Sequence, residues 1–423
     1  MVYKQHGREY DIVVFGATGY SGTLTAEHIA SKFPPELKWA IAGRSADKLQ
    51  QLATRCKELA PTHISPAIEV CQLDDKDVSA LARRTFAMIA AVGPYALYGE
   101  HAFKACAESG TYYVDCTPEV PWTLEMIKKY EATAKTTGAC MFPQCAMESA
   151  PSDLLTWAVV TDVRSKLSSH TGDVVVDMHE LQSMPSGGTV TTFLNLFDTY
   201  SLKFIGQALK PYALSPVPNE HMAPKGSFLS AITGQRTITG LGRLSTSATG
   251  PLNTAIVHRT WGLTKQEDSL NAEFYGPNFT YQEYMNTDSF FKGVLVHYSL
   301  IIGALFVLLP PFRALVRKAV FQPGEGPDKE KAKNEIIEFR AVAMPDTKSE
   351  GGKQVFGQLR FPGSMYYLTA ALLGQAVRTL LEVDSGRLSG GIYTPACLGR
   401  EYVDRLEQVG LSIKTEVQNI QDP

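Results

Sequence analysis

Three glycines spaced three residues apart, Gly16, Gly19 and Gly22, stand where the apolar run Asp11 to Phe15 gives way to a stretch with helical spacing, Thr23 to Phe33. In that order they allow a sharp turn, a close approach of backbone to a ligand, and close packing of helix on strand. Unpaired N–H groups across Ala17, Thr18, Tyr20 and Ser21, at the positive end of the helix dipole, suit a pyrophosphate. A tight turn with no ligand is the plainer reading. The position between a strand and a helix favours dinucleotide binding.

The end of the next apolar run carries Gly43, Arg44 and Ser45, where an NAD-binding chain places a carboxylate for the ribose hydroxyls. Here there is none. The Arg44 guanidinium, with the Ser45 hydroxyl beside it, instead matches a 2′-phosphate, so the expected cofactor is NADP(H); a solvated arginine is the alternative. Asp74 can accept from an adenine amino group or cap the helix that follows, and the cap is the preferred reading. Val92, Gly93, Pro94 and Tyr95 follow the fourth apolar run, and Asp115 and Glu119 follow the fifth. Ligands of open parallel sheets sit beyond such strand ends, so these residues face the nicotinamide half. Tyr95 and Tyr98 are the candidate catalytic donors to a developing oxyanion or carbon; walling the pocket is their plainer role.

Strand and helix patterns alternate five times over about 150 residues, the signature of an α/β Rossmann domain with a doubly wound parallel sheet. Among the 423 residues, 44% are hydrophobic and 20% charged, enough for more than one core. A net charge of -3 with scattered basic residues gives no field for a polyanion, so nucleic acid is not an expected partner. Seven cysteines without a Cys-x-x-Cys pair argue against a disulfide framework and against a metal site. A polar start without an apolar core or cleavage site leads us to expect a cytoplasmic protein.

"VFGATGYSG", "AGRS", "VGPYALYGE", "YVDCTPE" and "SAPSDLL", in this order, resemble the saccharopine dehydrogenase-like oxidoreductases. That family includes trans-acting enoyl reductases and eukaryotic members associated with lipid droplets. The match resumes in "PGEGP" (Pro323 to Pro327) and in the stretch Gly390 to Glu416. The resemblance implies an NADP-type Rossmann domain interrupted by a mixed α/β domain whose sheet covers the crevice. It does not imply lysine chemistry, because no acid/base pair for an amino-acid substrate is visible. Relatives often read "GFDSIPSD" where this chain has "QCAMESAPSD" (Gln144 to Asp153), so Cys145, Glu148 and Asp153 border a divergent substrate side.

The expected organisation is a Rossmann domain over 1–155, an inserted substrate domain over 156–362, and C-terminal helices over 363–423 that return to the first domain. Strand patterns at Val174 to Met184, Glu335 to Met344 and Gln354 to Phe361 supply the inserted sheet. Ser186, Gly187, Gly188 and Thr189 open a helix, as anion contacts or simply as a turn. The apolar segment 294–312 runs 16 residues from Val294 to Leu309, short of a span, and is followed by Arg313, Arg317 and Lys318. It reads either as a core helix or as a monotopic element touching membrane, lipid droplet or an acidic carrier protein.

The function these features support is NADPH-dependent reduction of a conjugated C=C bond in an apolar substrate of polyketide, fatty-acyl or terpenoid type, free or carrier-bound. Reduction of a C=N or C=O bond and a vestigial cofactor-binding role at lipid surfaces are the alternatives. A homodimer is left open.

Overall fold

Short apolar strands alternating with helices fold as the sequence pattern requires, in a computed structural model that describes residues 3–182, 187–224, 226–319, 334–346, 352–382 and 386–420. Strands β1 (Tyr10–Phe15), β2 (Trp39–Gly43), β3 (Ala67–Val70), β4 (Thr85–Ala90), β5 (Tyr112–Asp115) and β6 (Cys140–Phe142) belong to the first sheet. The second takes β7 (Thr171–Leu181), β8 (Arg236–Ile238), β9 (Gly242–Thr246), β10 (Thr280–Asn286), β11 (Ile336–Pro345) and β12 (Lys353–Pro362). Two late strands, β13 (Gly391–Ile392) and β14 (Ser412–Asn419), are divided between the sheets.

The first sheet is parallel throughout, in the order β13-β6-β5-β4-β1-β2-β3. Strand order reverses beside β1, so the connections leaving β1 and β4 diverge and open a crevice at their carboxyl ends. All six residues of β1 are buried, as a strand covered on both faces demands. The first helix spans Tyr20–Lys32, three residues earlier than its apolar spacing predicts. Its first turn carries polar side chains that the packing of Leu24 and Ile29 does not disclose.

The second sheet runs β14-β12-β11-β7-β10-β9-β8, antiparallel except where β10 lies parallel to β7. The expected pairing of Glu335 to Met344 with Gln354 to Phe361 forms, with Phe339 opposite Leu359 and Val342 opposite Phe356. The helix Ala150–Leu167 lies on this sheet, closely enough that a Cβ on Gly357 would stand 2.5 Å from Cγ1 of Val159. The chain therefore enters the second body before residue 150 rather than at 155. One hydrophobic core joins the two bodies, containing Ile12 and Val14 of the first sheet, Val176 and Phe339 of the second, and Leu372 and Leu373 between them.

Two expectations change. The helix Met365–Glu382 and β13 return to the first body, but β14 continues into the second sheet, where its whole length pairs with Lys353 to Arg360 of β12. The edge of β12 otherwise exposes a row of backbone donors and acceptors. The core-helix reading of the apolar segment is overturned: the helix Phe290–Val307 buries only Gly293.

Candidate active site

The crevice between the β1 and β4 connections is a cavity of about 140 Å³. Gly19, Tyr20, Ser21, Ala91 and Gly93 are among the residues that line it. Gly16 makes the turn with φ +79°, and a Cβ there would meet the Ala91 carbonyl oxygen at 2.5 Å. Any side chain at Gly22 would collide with the Gly16 carbonyl, so the helix can press onto the turn only because that position is bare. Gly19 is different: a Cβ would find only the Gly16 oxygen at 3.4 Å and the Ala91 oxygen at 3.9 Å, so the bare position serves the cavity rather than the fold. Ala17 is buried and its carbonyl accepts from the Thr23 hydroxyl at 3.1 Å; Thr18 packs against Gly43.

Arg44 lies exposed just past β2 and, among the described residues, forms no ion pair. That is the condition in which a guanidinium can receive a phosphate. Ser45 is already engaged, since its hydroxyl accepts from the Lys48 N–H as the cap of the next helix. Asp74 takes the capping role that the sequence favours, accepting at Oδ1 from the Asp77 N–H at 2.9 Å.

Beyond β4, Val92 packs against Gly16, while Gly93, Pro94 and Tyr95 line the cavity. Neither tyrosine stands as a donor. The Tyr95 hydroxyl is turned inward, donating to the Ala90 carbonyl at 2.7 Å and lying 3.1 Å from Sγ of Cys116; burial holds its pKa well above the ordinary range. Tyr98 is 45% exposed and is not among the cavity-lining residues. Asp115 likewise departs from expectation. Buried completely, it accepts at Oδ1 from the Thr117 and Gln144 N–H groups and at Oδ2 from the Tyr113 hydroxyl. It ties the loop after β5 to the loop after β6 and is not among the cavity-lining residues. Glu119 braces the other side, taking the Tyr95 and Ala96 N–H groups at 2.7 and 2.8 Å.

Among the described residues Glu148 is the one carboxyl lining the cavity, which Cys116, Tyr366 and Thr369 also line. Burial pushes its pKa up to about 7, with only its own backbone N–H opposing. The Cys116 thiol is driven up to about 12 by the same desolvation and stays protonated. The roof comes from the helix Gly187–Thr199, through Thr189, Thr191 and Thr192, and from the helix Met365–Glu382, through Tyr366 and Thr369. Thr189 and Tyr366 meet hydroxyl to hydroxyl at 3.1 Å, and Tyr20 packs edge-on to Tyr366. The second sheet contributes no strand residue to this lining, so a helix rather than the sheet covers the crevice. Gly187 and Gly188 do begin that helix; Ser186 lies outside the described residues.

Tyr366 and Thr369 were missed. Their signal was present as polar groups within a helix that buries fifteen of its residues, where an unexplained hydroxyl asks for a partner. No group of three or more metal-ligating side chains occurs among the described residues.

The crevice fits an NADP-type cofactor on three counts: exposed backbone at Gly19 to Ser21, an unpaired Arg44 one strand away, and glycine at Gly93 on the facing loop. Comparison with known proteins agrees. Residues 12–141 match the family model described as the saccharopine dehydrogenase NADP binding domain. A protein of Mycobacterium tuberculosis, provisionally named a trans-acting enoyl reductase, is 30% identical over 96% of this chain and 98% of its own. The trans-acting enoyl reductase of Mycobacterium ulcerans is 29% identical over 96% and 97%. Among solved structures, homospermidine synthase of Legionella pneumophila in complex with NAD superposes with a TM-score of 0.51, covering 98% of this chain and 92% of that one at 11% identity.

Proposed function

We propose, from the premise that this chain belongs to the saccharopine dehydrogenase-like family of NADP-binding oxidoreductases, that it reduces a conjugated C=C bond of an apolar acyl substrate with NADPH. One observation carries the reading: among the described residues a single carboxyl, Glu148, lines the same cavity as the glycine turn, and burial raises its pKa to about 7. The relatives' names point to the same bond type.

The residues that would hold the cofactor are Gly19, Tyr20 and Ser21 for the pyrophosphate, Arg44 for the 2′-phosphate, and Gly93 and Pro94 for the nicotinamide half. When bound, NADPH supplies a hydride, which adds to the β-carbon of the conjugated system. Glu148 holds a proton on its carboxyl near neutrality and delivers it to the α-carbon, so one hydride and one proton saturate the bond. Tyr366 and Thr189 present hydroxyls to the cavity and can donate to the enolate oxygen formed on the substrate.

The test follows NADPH absorbance with crotonyl-type thioesters, simple ketones and cyclic imines. Consumption with the thioesters alone supports the proposal; consumption with ketones or imines alone refutes the C=C assignment. With the active substrate, kcat/KM should fall as pH rises through about 7, because the proton-donating form of Glu148 is lost. Glu148→Gln should lower kcat at least tenfold and abolish that limb while NADPH affinity persists. An unchanged pH profile in the variant removes Glu148 from the chemistry.

A further inference from the structure

Among the described residues, exposed apolar surface is concentrated on a helical hairpin. Its first arm, Phe290–Val307, has 18 residues and a composition apolar enough to cross a membrane, yet is almost wholly unburied. Phe291 is 83% exposed, Leu295 67% and Leu305 61%. From Ile301 to Leu309 no residue is buried, so the exposure there runs around the helix rather than along one stripe. A helix apolar all round belongs in an apolar phase, not against water. Beside it lies the short helix Phe228–Thr233, which buries none of its residues and presents Phe228 at 79% exposure.

The attachments decide how such a helix can meet an apolar phase. At its first turns the Ser245 hydroxyl donates to the Gly293 carbonyl at 2.8 Å, and Thr246 Oγ1 lies 2.8 Å from Nδ1 of His297. At its far end the second arm, Pro310–Ala319, is held by Arg313, 2.6 Å from Asp198, and by Arg317, which also reaches Asp198. Both ends of a rod about 27 Å long are thus tied back to the protein, one to β9 and one to the helix Gly187–Thr199. It can lie along a surface but cannot run through to the opposite side.

The occupant follows from the chemistry. From Gly293 to Leu309 there is no charged residue to give a protein partner register or specificity. Charges stand only at the flanks; at the distal flank Arg313 and Arg317 share the single carboxylate of Asp198, which leaves a net positive charge, and Lys318 stands exposed beside them. An uncharged apolar rod ending in basic residues complements acyl chains beneath anionic headgroups.

We propose that this hairpin docks the protein on an anionic lipid surface as a monotopic element, with the Phe290–Val307 helix in the plane of the interface. The helix Gly187–Thr199 carries cavity-lining threonines near its start and the arginine-binding Asp198 near its end. The same helix therefore links the cavity to the docking hairpin.

The experiment is flotation of the full chain with phosphatidylcholine vesicles, with and without phosphatidylserine. Wild type should float with both and more strongly with the anionic set. The triple variant Phe291→Asp, Leu295→Asp, Leu305→Asp should float at least tenfold less while binding NADPH as wild type does. Lys318→Glu should lose only the phosphatidylserine increment. Wild type remaining with the aqueous fraction in both sets overturns the proposal, whatever the variants do. So does a wild-type dimer that the triple variant converts to monomer without any vesicle binding, since a second copy would then cover the face.

Discussion

Arg44 is a residue whose type alone carried meaning. A cation where a carboxylate would serve NAD, exposed and without an ion-pair partner among the described residues, is suited to anion recognition. Arg44→Asp should weaken NADPH binding at least tenfold, about 1.4 kcal/mol, while NADH binding is unchanged or improved, as read by titrating each cofactor against intrinsic fluorescence. Equal losses for both cofactors would deny Arg44 its phosphate. The tyrosines taught the opposite lesson. Tyr95 follows the strand end as expected, but its hydroxyl turns back to the Ala90 carbonyl, a direction set by packing against Trp122 and Cys116. Side-chain type announces a capability, and only the surroundings determine where it is aimed.

At the scale of elements, the first sheet was readable because parallel strands buried on both faces are continuous apolar runs, and glycine marks the turn that joins β1 to its helix. The glycines of that turn divide between fold and cavity, and substitution should separate them. Gly22→Ala should destabilise the protein by about 1–3 kcal/mol in a urea titration, since the added methyl meets the Gly16 carbonyl. Gly19→Ala should leave the unfolding midpoint in place and weaken NADPH binding at least tenfold. If both variants unfold alike, the assignment of separate roles is wrong. Strands β8, β9 and β10 escaped notice because they are short or carry polar residues on a partly solvated sheet, where apolar alternation is faint.

On the whole-molecule scale the chain crosses between its two bodies more often than its patterns suggest, closing with β14 as an edge strand of the second sheet. Deleting the residues after Gly410 should lower the calorimetric midpoint by several degrees and promote association through the bared edge of β12. A monodisperse truncated protein with an unchanged midpoint would make β14 an ornament. What the sequence determined by itself was local: the strand, turn and helix at Gly16 to Gly22, a cation rather than a carboxylate at Arg44, and the alternation that builds a parallel sheet. These depend on spacing between near neighbours, which the chain carries openly. The tertiary structure alone decided that Glu148, Thr189 and Tyr366 share one cavity, that Asp115 is a brace, and that an apolar helix lies outside rather than within. Each of those outcomes depends on which distant segments pack together, and burial, which sets both a carboxyl's proton affinity and a helix's solvent, exists only after they have.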